Sequence, residues 1–305
     1  MTAAAPRGGV ALVTDSTAGL EALAVRIGCT IVPLALEIDG TLYHEGPALS
    51  ADAFYRLLEE AASPPLTLPP SSEEFARVYE RLLEEHASVL SIHLSGELSQ
   101  TVARAREAVG RLAAEDRVTV VDSRLAGAAL GLLCLEARAR LDGGASLDEA
   151  RAAVERIAAA TRVYFSVYSL DFLYLGGRLE RVRGTGSRVA EDRPILTLED
   201  GRLALVERVI GETTRVERTV HLVEGEFGVG EPLVAAVTHA GQRGEAAAAN
   251  LEDLLKGNGA DVDVRFSMPL GPVLCAHTGF DVCGIAVYPR RLSATAGLDA
   301  KSGGG

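Results

Sequence analysis

The sequence predicts an α/β protein of two domains, with a parallel sheet in the N-terminal domain and a mixed sheet in the C-terminal domain. Three observations support this prediction. The chain has 305 residues, which is long for a single hydrophobic core. Its first half alternates short β-rich runs with helical patterns, as a parallel sheet requires, whereas its second half contains a β-hairpin pattern. We therefore predict domains at 1–162 and 163–290, followed by a disordered tail at 291–305.

In the N-terminal half, β-rich runs predict strands and amphipathic runs predict helices. The predicted strands are 9–16, 29–40, 87–95 and 117–124. The predicted helices are 17–28, 50–62, 72–86, 99–113, 126–144 and 146–161. Pro33 predicts an edge position or a bend in the second strand. The four prolines of the loop 63–71 exclude a helix and a central strand there.

The C-terminal half begins with a predicted strand at 162–170 and a short helix at 171–179. Alternating runs around the turn Glu-Asp-Gly predict a β-hairpin over 194–209. Further strands are predicted at 231–241, 261–268 and 280–289, with a helix at 244–257 and a helical apolar run at 269–279. This mixture of a hairpin with strand–helix pairs predicts a mixed sheet.

The composition excludes several classes of partner. The net charge is −12, whereas a general nucleic-acid-binding protein needs clustered Lys and Arg. No run reaches the ~18 apolar residues of a membrane-spanning helix, so we expect no stable membrane insertion. Neither the six histidines nor the four cysteines have a zinc-binding spacing; the cysteines are Cys29, Cys134, Cys275 and Cys283. We therefore expect buried free thiols, no metal site and a cytoplasmic location.

Serines and threonines gather where predicted strands give way to predicted helices. They occur in the stretches 14–17, 67–71, 94–99 and 121–124. Each stretch alone is explained by an ordinary helix cap. In a parallel α/β sheet, however, all four lie at the carboxyl edge, where ligands bind beside helix N-termini. The sequence therefore suggests an anion held by hydroxyl groups and backbone amides.

Ser95 has three interpretations: a catalytic nucleophile, a helix cap or a hydrogen-bond donor to a ligand. His93 is a poor base for it, because two residues of a strand separate their Cα atoms by ~6.5 Å, and the motif G-x-S-x-G is missing. A serine hydrolase that uses Ser95 with a distant histidine such as His277, oriented by Asp15 or Asp122, remains the alternative function. His277 itself either caps backbone carbonyls in a turn or faces an anion between the domains.

A basic segment follows the first strand of the second domain. It contains neither a dinucleotide-binding fingerprint nor a P-loop. It is either a solvated loop paired with neighbouring acidic residues or a docking surface for a partner or an anionic group. Its arginines are Arg178, Arg181, Arg183, Arg188 and Arg193.

Six stretches of the sequence, taken in order, resemble the DegV family, the bacterial fatty-acid-binding proteins that serve a fatty-acid kinase. They are VTDSTAGL, TLPPS, LSGELSQTVARA, VVDSR, LDFLYLGGRL and GPVLCAHTG. One such stretch is a weak signal, but six in register over about residues 9–290 are specific. The sequence departs from the family at Leu68 and Pro69, where the family usually carries Ser-Gln.

The resemblance implies that a long-chain fatty acid lies in an apolar tunnel between the two domains, with its carboxylate near the surface. The residues that match the family's carboxylate-binding positions are Thr67, Ser95 and His277. Gly96, Arg178 and Arg208 are implied as additional binding or partner-docking residues, and Arg208 aligns only loosely. The resemblance also implies a carrier with no catalytic residue and no cofactor. Its ligand would be the fatty acid, and its partner would be a fatty-acid kinase that forms the acyl phosphate.

Overall fold

The computed structural model describes residues 8–46, 49, 51–179, 192–257 and 260–294. The first half contains seven described strands: β1 (Val10–Asp15), β2 (Cys29–Val32), β3 (Ala35–Ile38), β4 (Thr41–His44), β5 (Leu66–Leu68), β6 (Ser88–His93) and β7 (Val118–Asp122). Its described helices are α1 (Ala51–Glu60), α2 (Ser72–Glu85), α3 (Thr101–Leu112), α4 (Ala128–Asp142) and α5 (Leu147–Ala160).

The second half contains strands β8 (Arg162–Ser166), β9 (Asp192–Glu199), β10 (Arg202–Ile210), β11 (Leu233–His239), β12 (Val262–Pro269) and β13 (Cys283–Pro289). Its described helices are α6 (Asp171–Leu175), α7 (Glu212–Phe227), α8 (Gly241–Gly257) and α9 (Pro272–Thr278). Most of the predicted basic segment, including Arg181, Arg183 and Arg188, lies outside the described residues.

Three sheets organise these strands. A parallel sheet has the order β2-β1-β6-β7, and a six-stranded sheet has the order β10-β9-β8-β13-β11-β12. In the six-stranded sheet β11 and β12 are parallel, whereas the other neighbours are antiparallel. A small antiparallel sheet, β4-β3-β5, completes the set. The predicted fold class is confirmed; the domain boundary at 162 stays a prediction, and β8 begins there.

Several elements differ from the sequence prediction. The predicted helix 17–28 is wrong: a 3-10 turn, Ser16–Ala18, is closed by Gly19 in the left-handed region at φ 64°, and turns follow. Pro33 marks the bend between β2 and β3, which belong to different sheets. The proline-rich loop contains β5, an edge strand and therefore compatible with the prolines. Helix α7 had no counterpart in the prediction.

Helix α4 joins the two halves of the molecule. It contacts β1 and β6 of the parallel sheet on one side and β11 and β13 of the six-stranded sheet on the other. Because both sides are covered, its residues 128–134 are all buried, as expected of a helix that is apolar all round. One core cluster accordingly contains side chains of both sheets, for example Leu12 and Ala286.

A buried carboxylate fastens the end of the described chain to α4. Glu136 accepts hydrogen bonds from the Tyr288 hydroxyl (2.7 Å), the Ser293 hydroxyl (2.5 Å) and the Ala294 amide (2.8 Å). A 3-10 turn, Arg290–Leu292, precedes these contacts. The predicted disordered tail at 291–305 is therefore ordered as far as Ala294, and the rest lies outside the described residues.

Candidate ligand-binding cavity

A cavity of about 320 Å³ lies between the two halves of the molecule, at the lower end of the usual size range of ligand pockets. Its walls come from the small sheet, the loop before α3, the first turn of α4, the inner face of the six-stranded sheet and α9. Most of the lining is apolar, with Leu94, Ala129, Phe165, Leu198, Val273 and Ile285 as examples. Such a surface favours a hydrocarbon ligand.

Three polar side chains from separate elements meet in the lining. Thr67 lies on β5, His277 in the last turn of α9, and Arg178 just after the paired glycines that follow α6. The Thr67 hydroxyl and His277 Nε2 are hydrogen-bonded at 2.8 Å. The positive charge of Arg178 contributes to lowering the pKa of His277. The structure therefore brings these three predicted residues together.

Arg178 is a cation without a carboxylate partner among the described residues. Its guanidinium donates to two backbone carbonyls, that of Gly176 at 2.5 Å and that of Leu98 at 3.3 Å. Burial lowers the pKa of Arg178, but an arginine stays protonated at neutral pH. A half-buried cation beside an apolar cavity favours an anionic group on the ligand.

His277 is neutral at physiological pH. Burial, followed by repulsion from Arg178, lowers its pKa to about 4. Its Nδ1 is buried, has no hydrogen-bond partner in the described part of the chain, and faces Gly176, where a Cβ atom would come within 2.4 Å. A buried N–H group without an acceptor is costly, so we assign the proton to Nε2. His277 is then a neutral donor directed at Thr67 and the cavity.

Ser95 is fully buried and does not line the cavity, although its neighbours Leu94 and Leu98 do. Its hydroxyl donates to the carbonyl of Gly201 at 2.8 Å, and the amide of Glu97 donates to it at 3.2 Å. A role of Ser95 in carboxylate binding stays a prediction. In this structure, it requires the hydroxyl to turn away from Gly201.

The two other predicted residues lie apart from the polar group. Gly96 is exposed, its amide donates to Asp122 Oδ1 at 3.1 Å, and a Cβ atom there would lie 2.8 Å from Asp122 Oδ2. Arg208 on β10 forms an ion pair with Asp192 and does not line the cavity. Its possible role in partner docking stays a prediction.

The structure gives the hydrolase alternative no support at Ser95, because no histidine among the described residues bonds its hydroxyl. A serine, a histidine and an aspartate do form a chain elsewhere: Ser91 Oγ lies 2.7 Å from His93 Nε2, and His93 Nδ1 lies 3.0 Å from Asp15 Oδ2. All three side chains are fully buried, and Tyr79 closes the Ser91 end with a bond of 2.9 Å. No substrate reaches such a serine. His93 belongs to β6, as predicted.

The sequence analysis missed Glu45, which lies behind α9. Its Oε1 accepts from the Val273 amide at 3.0 Å, and its Oε2 has no partner among the described residues. Burial raises its pKa to about 7, and the hydroxyl of Ser16 and the Val273 amide oppose the rise only partly. No pattern in the sequence around Glu45 marks it, because its burial results from the packing of α9 against the small sheet.

The described part of the chain was searched for metal-binding side-chain clusters and for membrane-spanning helices. Within it, no group of three or more His, Cys, Asp or Glu side chains is arranged to hold a metal ion. Its four cysteines are all buried free thiols, as predicted. Over the same residues, no helix combines the length and the apolar character needed to cross a membrane.

The comparison with known proteins agrees with the fold. A family model described as "Uncharacterised protein, DegV family" matches residues 9–290. The chain belongs to the DegV family. The resemblance of the six sequence stretches is thereby confirmed.

Individual DegV relatives cover nearly the whole chain. A DegV domain-containing protein of Streptomyces coelicolor is 36% identical over 289 residues, with coverage of 92% of this chain and 99% of the relative. A solved DegV family protein from Thermus thermophilus, described as fatty-acid-binding, has a TM-score of 0.86 and 34% identity, with coverage of 92% and 99%. DegV of Bacillus subtilis, described as a fatty-acid-binding protein, has a TM-score of 0.80 and 28% identity, with the same coverage.

Proposed function

We propose that this protein binds a long-chain fatty acid in the cavity, with the carboxylate at the polar group of Thr67, His277 and Arg178. The observation that carries the proposal is the charge of Arg178, which has no carboxylate partner among the described residues, beside a neutral histidine and a mostly apolar cavity. The fatty-acid-binding relatives from Thermus thermophilus and Bacillus subtilis support it. Ser95 and Gly96 are proposed as further contacts on the strength of the family resemblance.

The energetics of such a ligand agree with this arrangement. Burying ~15 methylene groups is worth ~12 kcal/mol on transfer scales, and part of this gain offsets the loss of motional freedom on binding. The carboxylate cannot be buried without partners. Arg178 supplies a charge-assisted bond, and the Thr67 hydroxyl, whose oxygen accepts the Nε2 hydrogen of His277, supplies a neutral donor.

We further propose that the protein is a cytoplasmic carrier that presents the carboxylate to a partner fatty-acid kinase. In the reaction, a carboxylate oxygen attacks the γ-phosphorus of the kinase's nucleotide, the bond to the β-phosphate oxygen breaks, and an acyl phosphate forms. The carrier needs no catalytic residue for this step, and its sequence contains no P-loop. Pull-down of a kinase with the loaded protein tests the proposal, and acyl phosphate formation by the mixture is the expected activity.

Ligand identification tests the binding itself. Protein purified from bacteria should carry an acyl chain that native mass spectrometry detects, and delipidated protein should take up palmitate at micromolar concentration. Absence of uptake would refute the proposal. A fluorophosphonate probe distinguishes fatty-acid binding from the serine hydrolase alternative, because the probe labels Ser95 only if this serine is a nucleophile.

Proton uptake on binding is expected at His277. In the ligand-free protein its pKa is about 4, and a carboxylate bound nearby should raise it. Between the two pKa values the complex holds more protons than the free protein, so affinity should rise as the pH falls through the pKa of His277 in the complex. Calorimetry at pH 5.5 in buffers of different ionisation enthalpy should detect this uptake, and pH 8 should show none.

The variant His277→Gln provides the control for this measurement. It keeps a neutral donor at the same place but cannot gain a proton, so uptake at pH 5.5 should vanish apart from that of the fatty acid itself. Equal uptake by the variant and the wild type would contradict the assignment.

A further inference from the structure

One loop of the cavity lining, residues 95–100, is held by the C-terminal half of the molecule; we call it the rim loop. It follows β6 and leads into α3, and Leu98, Ser99 and Gln100 in it line the cavity. Its structure consists of turns, and Gly96, Glu97 and Gln100 are exposed. The rim loop therefore combines contact with the cavity interior and contact with solvent.

The start of the rim loop is anchored to the end of β7 and to the loop that follows it. The amide of Ser95 donates to the Leu125 carbonyl at 2.8 Å, and the amide of Gly96 donates to Asp122 Oδ1 at 3.1 Å. Beyond Gly96 its described contacts with other elements include the bond from Arg178 Nε to the Leu98 carbonyl. The end of the rim loop is attached to α3 of its own domain, where the Thr101 amide donates to Ser99 Oγ at 3.3 Å and the Arg104 amide donates to the Gln100 carbonyl at 2.9 Å. It is therefore the middle of the loop, at Leu98, that a described hydrogen bond connects to the C-terminal half.

The turn between β9 and β10, residues 199–202, covers the rim loop from the other half of the molecule; we call it the hairpin turn. The buried Ser95 hydroxyl donates to the Gly201 carbonyl at 2.8 Å. Gly201 has φ 84°, and a Cβ atom there would come within 2.4 Å of Ser95 Oγ, so that only glycine fits against this serine.

Two ion pairs reinforce the contact. Arg202 pairs with Glu97 of the rim loop at 2.7 Å, and Asp200 pairs with Arg124 beside it at 3.4 Å. All four side chains are largely exposed, and exposed pairs of this kind contribute little to stability. Besides the buried bond between Ser95 and Gly201, the hairpin turn is thus held by two exposed ion pairs that break easily.

We propose that the rim loop is the gate of the cavity and that the hairpin turn holds it shut. The inference rests on the proposed function for the identity of the ligand. The cavity lies between the two halves, so a movement of one wall widens the path of a long acyl chain, and the rim loop is a wall whose ion-paired attachment to the opposite half is exposed to solvent. Residues 199–202 of the hairpin turn do not line the cavity, so we expect its two ion pairs to control the rates of ligand entry and release rather than the affinity.

Stopped-flow fluorescence with cis-parinaric acid tests the gate. The double variant Arg124→Gln/Arg202→Gln removes both ion pairs without touching the lining, and neither arginine belongs to the proposed binding residues. Release and uptake of parinarate should both become about two- to fivefold faster, with an unchanged Kd. Arg151→Gln, which removes an exposed arginine paired within α5, should leave both rates unchanged.

Two kinetic results would overturn the gate. One is a double variant whose rates match those of Arg151→Gln. The other is faster release without faster uptake. The Kd would then be higher, and the hairpin turn would be a binding contact rather than an element that holds the gate shut.

Hydrogen exchange of the ligand-free protein separates the gate from the proposed function. Amides 96–100 should exchange faster in the double variant than in the wild type, whether or not any lipid binds. Unchanged exchange would refute the gate. If the wild type fails to bind parinarate but amides 96–100 still exchange faster in the double variant, the proposed function fails. The inference that the hairpin turn holds the rim loop in place would nevertheless stand.

Discussion

Replacing Arg178 with glutamine should weaken fatty-acid binding by about 1.5–3 kcal/mol, or roughly ten- to a hundredfold in Kd. The guanidinium is the cation of the polar group, and it has no carboxylate partner among the described residues. A bound carboxylate would therefore lose its charge-assisted bond and stay half-buried beside the neutral, hydrogen-bonded pair of Thr67 and His277. Titration of delipidated protein with palmitate measures the change.

The Arg178→Lys variant separates charge from geometry. A lysine retains the positive charge but not the planar fork, so its affinity should fall between those of the wild type and the glutamine variant. Arg151→Gln is the matched surface control, since it removes one arginine at a distance from the cavity. An Arg178→Gln variant with wild-type affinity would remove Arg178 from the site.

Replacing Glu45 with glutamine should abolish a pH dependence of stability worth about 4 kcal/mol. Burial raises the pKa of Glu45 to about 7 in the folded protein, whereas in the unfolded chain it is about 4.3. Between these values the folded state holds the proton and the unfolded state releases it. The free energy of unfolding of the wild type should therefore fall as the pH rises from about 4.3 to 7, and level off above.

Urea denaturation at pH 5.5 and pH 8 measures this dependence. The comparison uses the difference between the two pH values within each protein, because replacing the carboxyl group of Glu45 by an amide also changes the absolute stability. Glu37→Gln serves as the control, since Glu37 on β3 is exposed. If Glu45→Gln and the wild type lose the same stability between the two pH values, the buried acid is not the cause.

The order of elements was predictable because the strands and helices carry local signals. The hairpin around Gly201 and the capped helix after Ser71 follow from turn and cap chemistry, and both are present. The predicted helix 17–28 was wrong because Gly19 adopts the left-handed region and ends, after a single turn, the 3-10 helix that Asp15 caps at its start. Which strands would form the small sheet depended on long-range pairing, which no local pattern specifies.

The residues of the candidate site were predictable only where a sequence motif identifies them. Thr67, Arg178 and His277 were named from the resemblance, and the structure brings them together. The partner of the Ser95 hydroxyl is a carbonyl 106 positions away, and such a contact leaves no trace in the sequence. The burial of Glu45 is likewise a product of tertiary packing.

The place of β13 in the six-stranded sheet has a consequence for biosynthesis. This strand, the last of the described chain, lies between β8 and β11 and pairs with both. Until residues 283–289 have left the ribosome, β8 with its hairpin and β11 with β12 are two separate pieces with unpaired edges facing each other. The N-terminal parallel sheet is complete long before then, so its folding can precede that of the second sheet. A chain shortened before Cys283 would expose both edges and should aggregate.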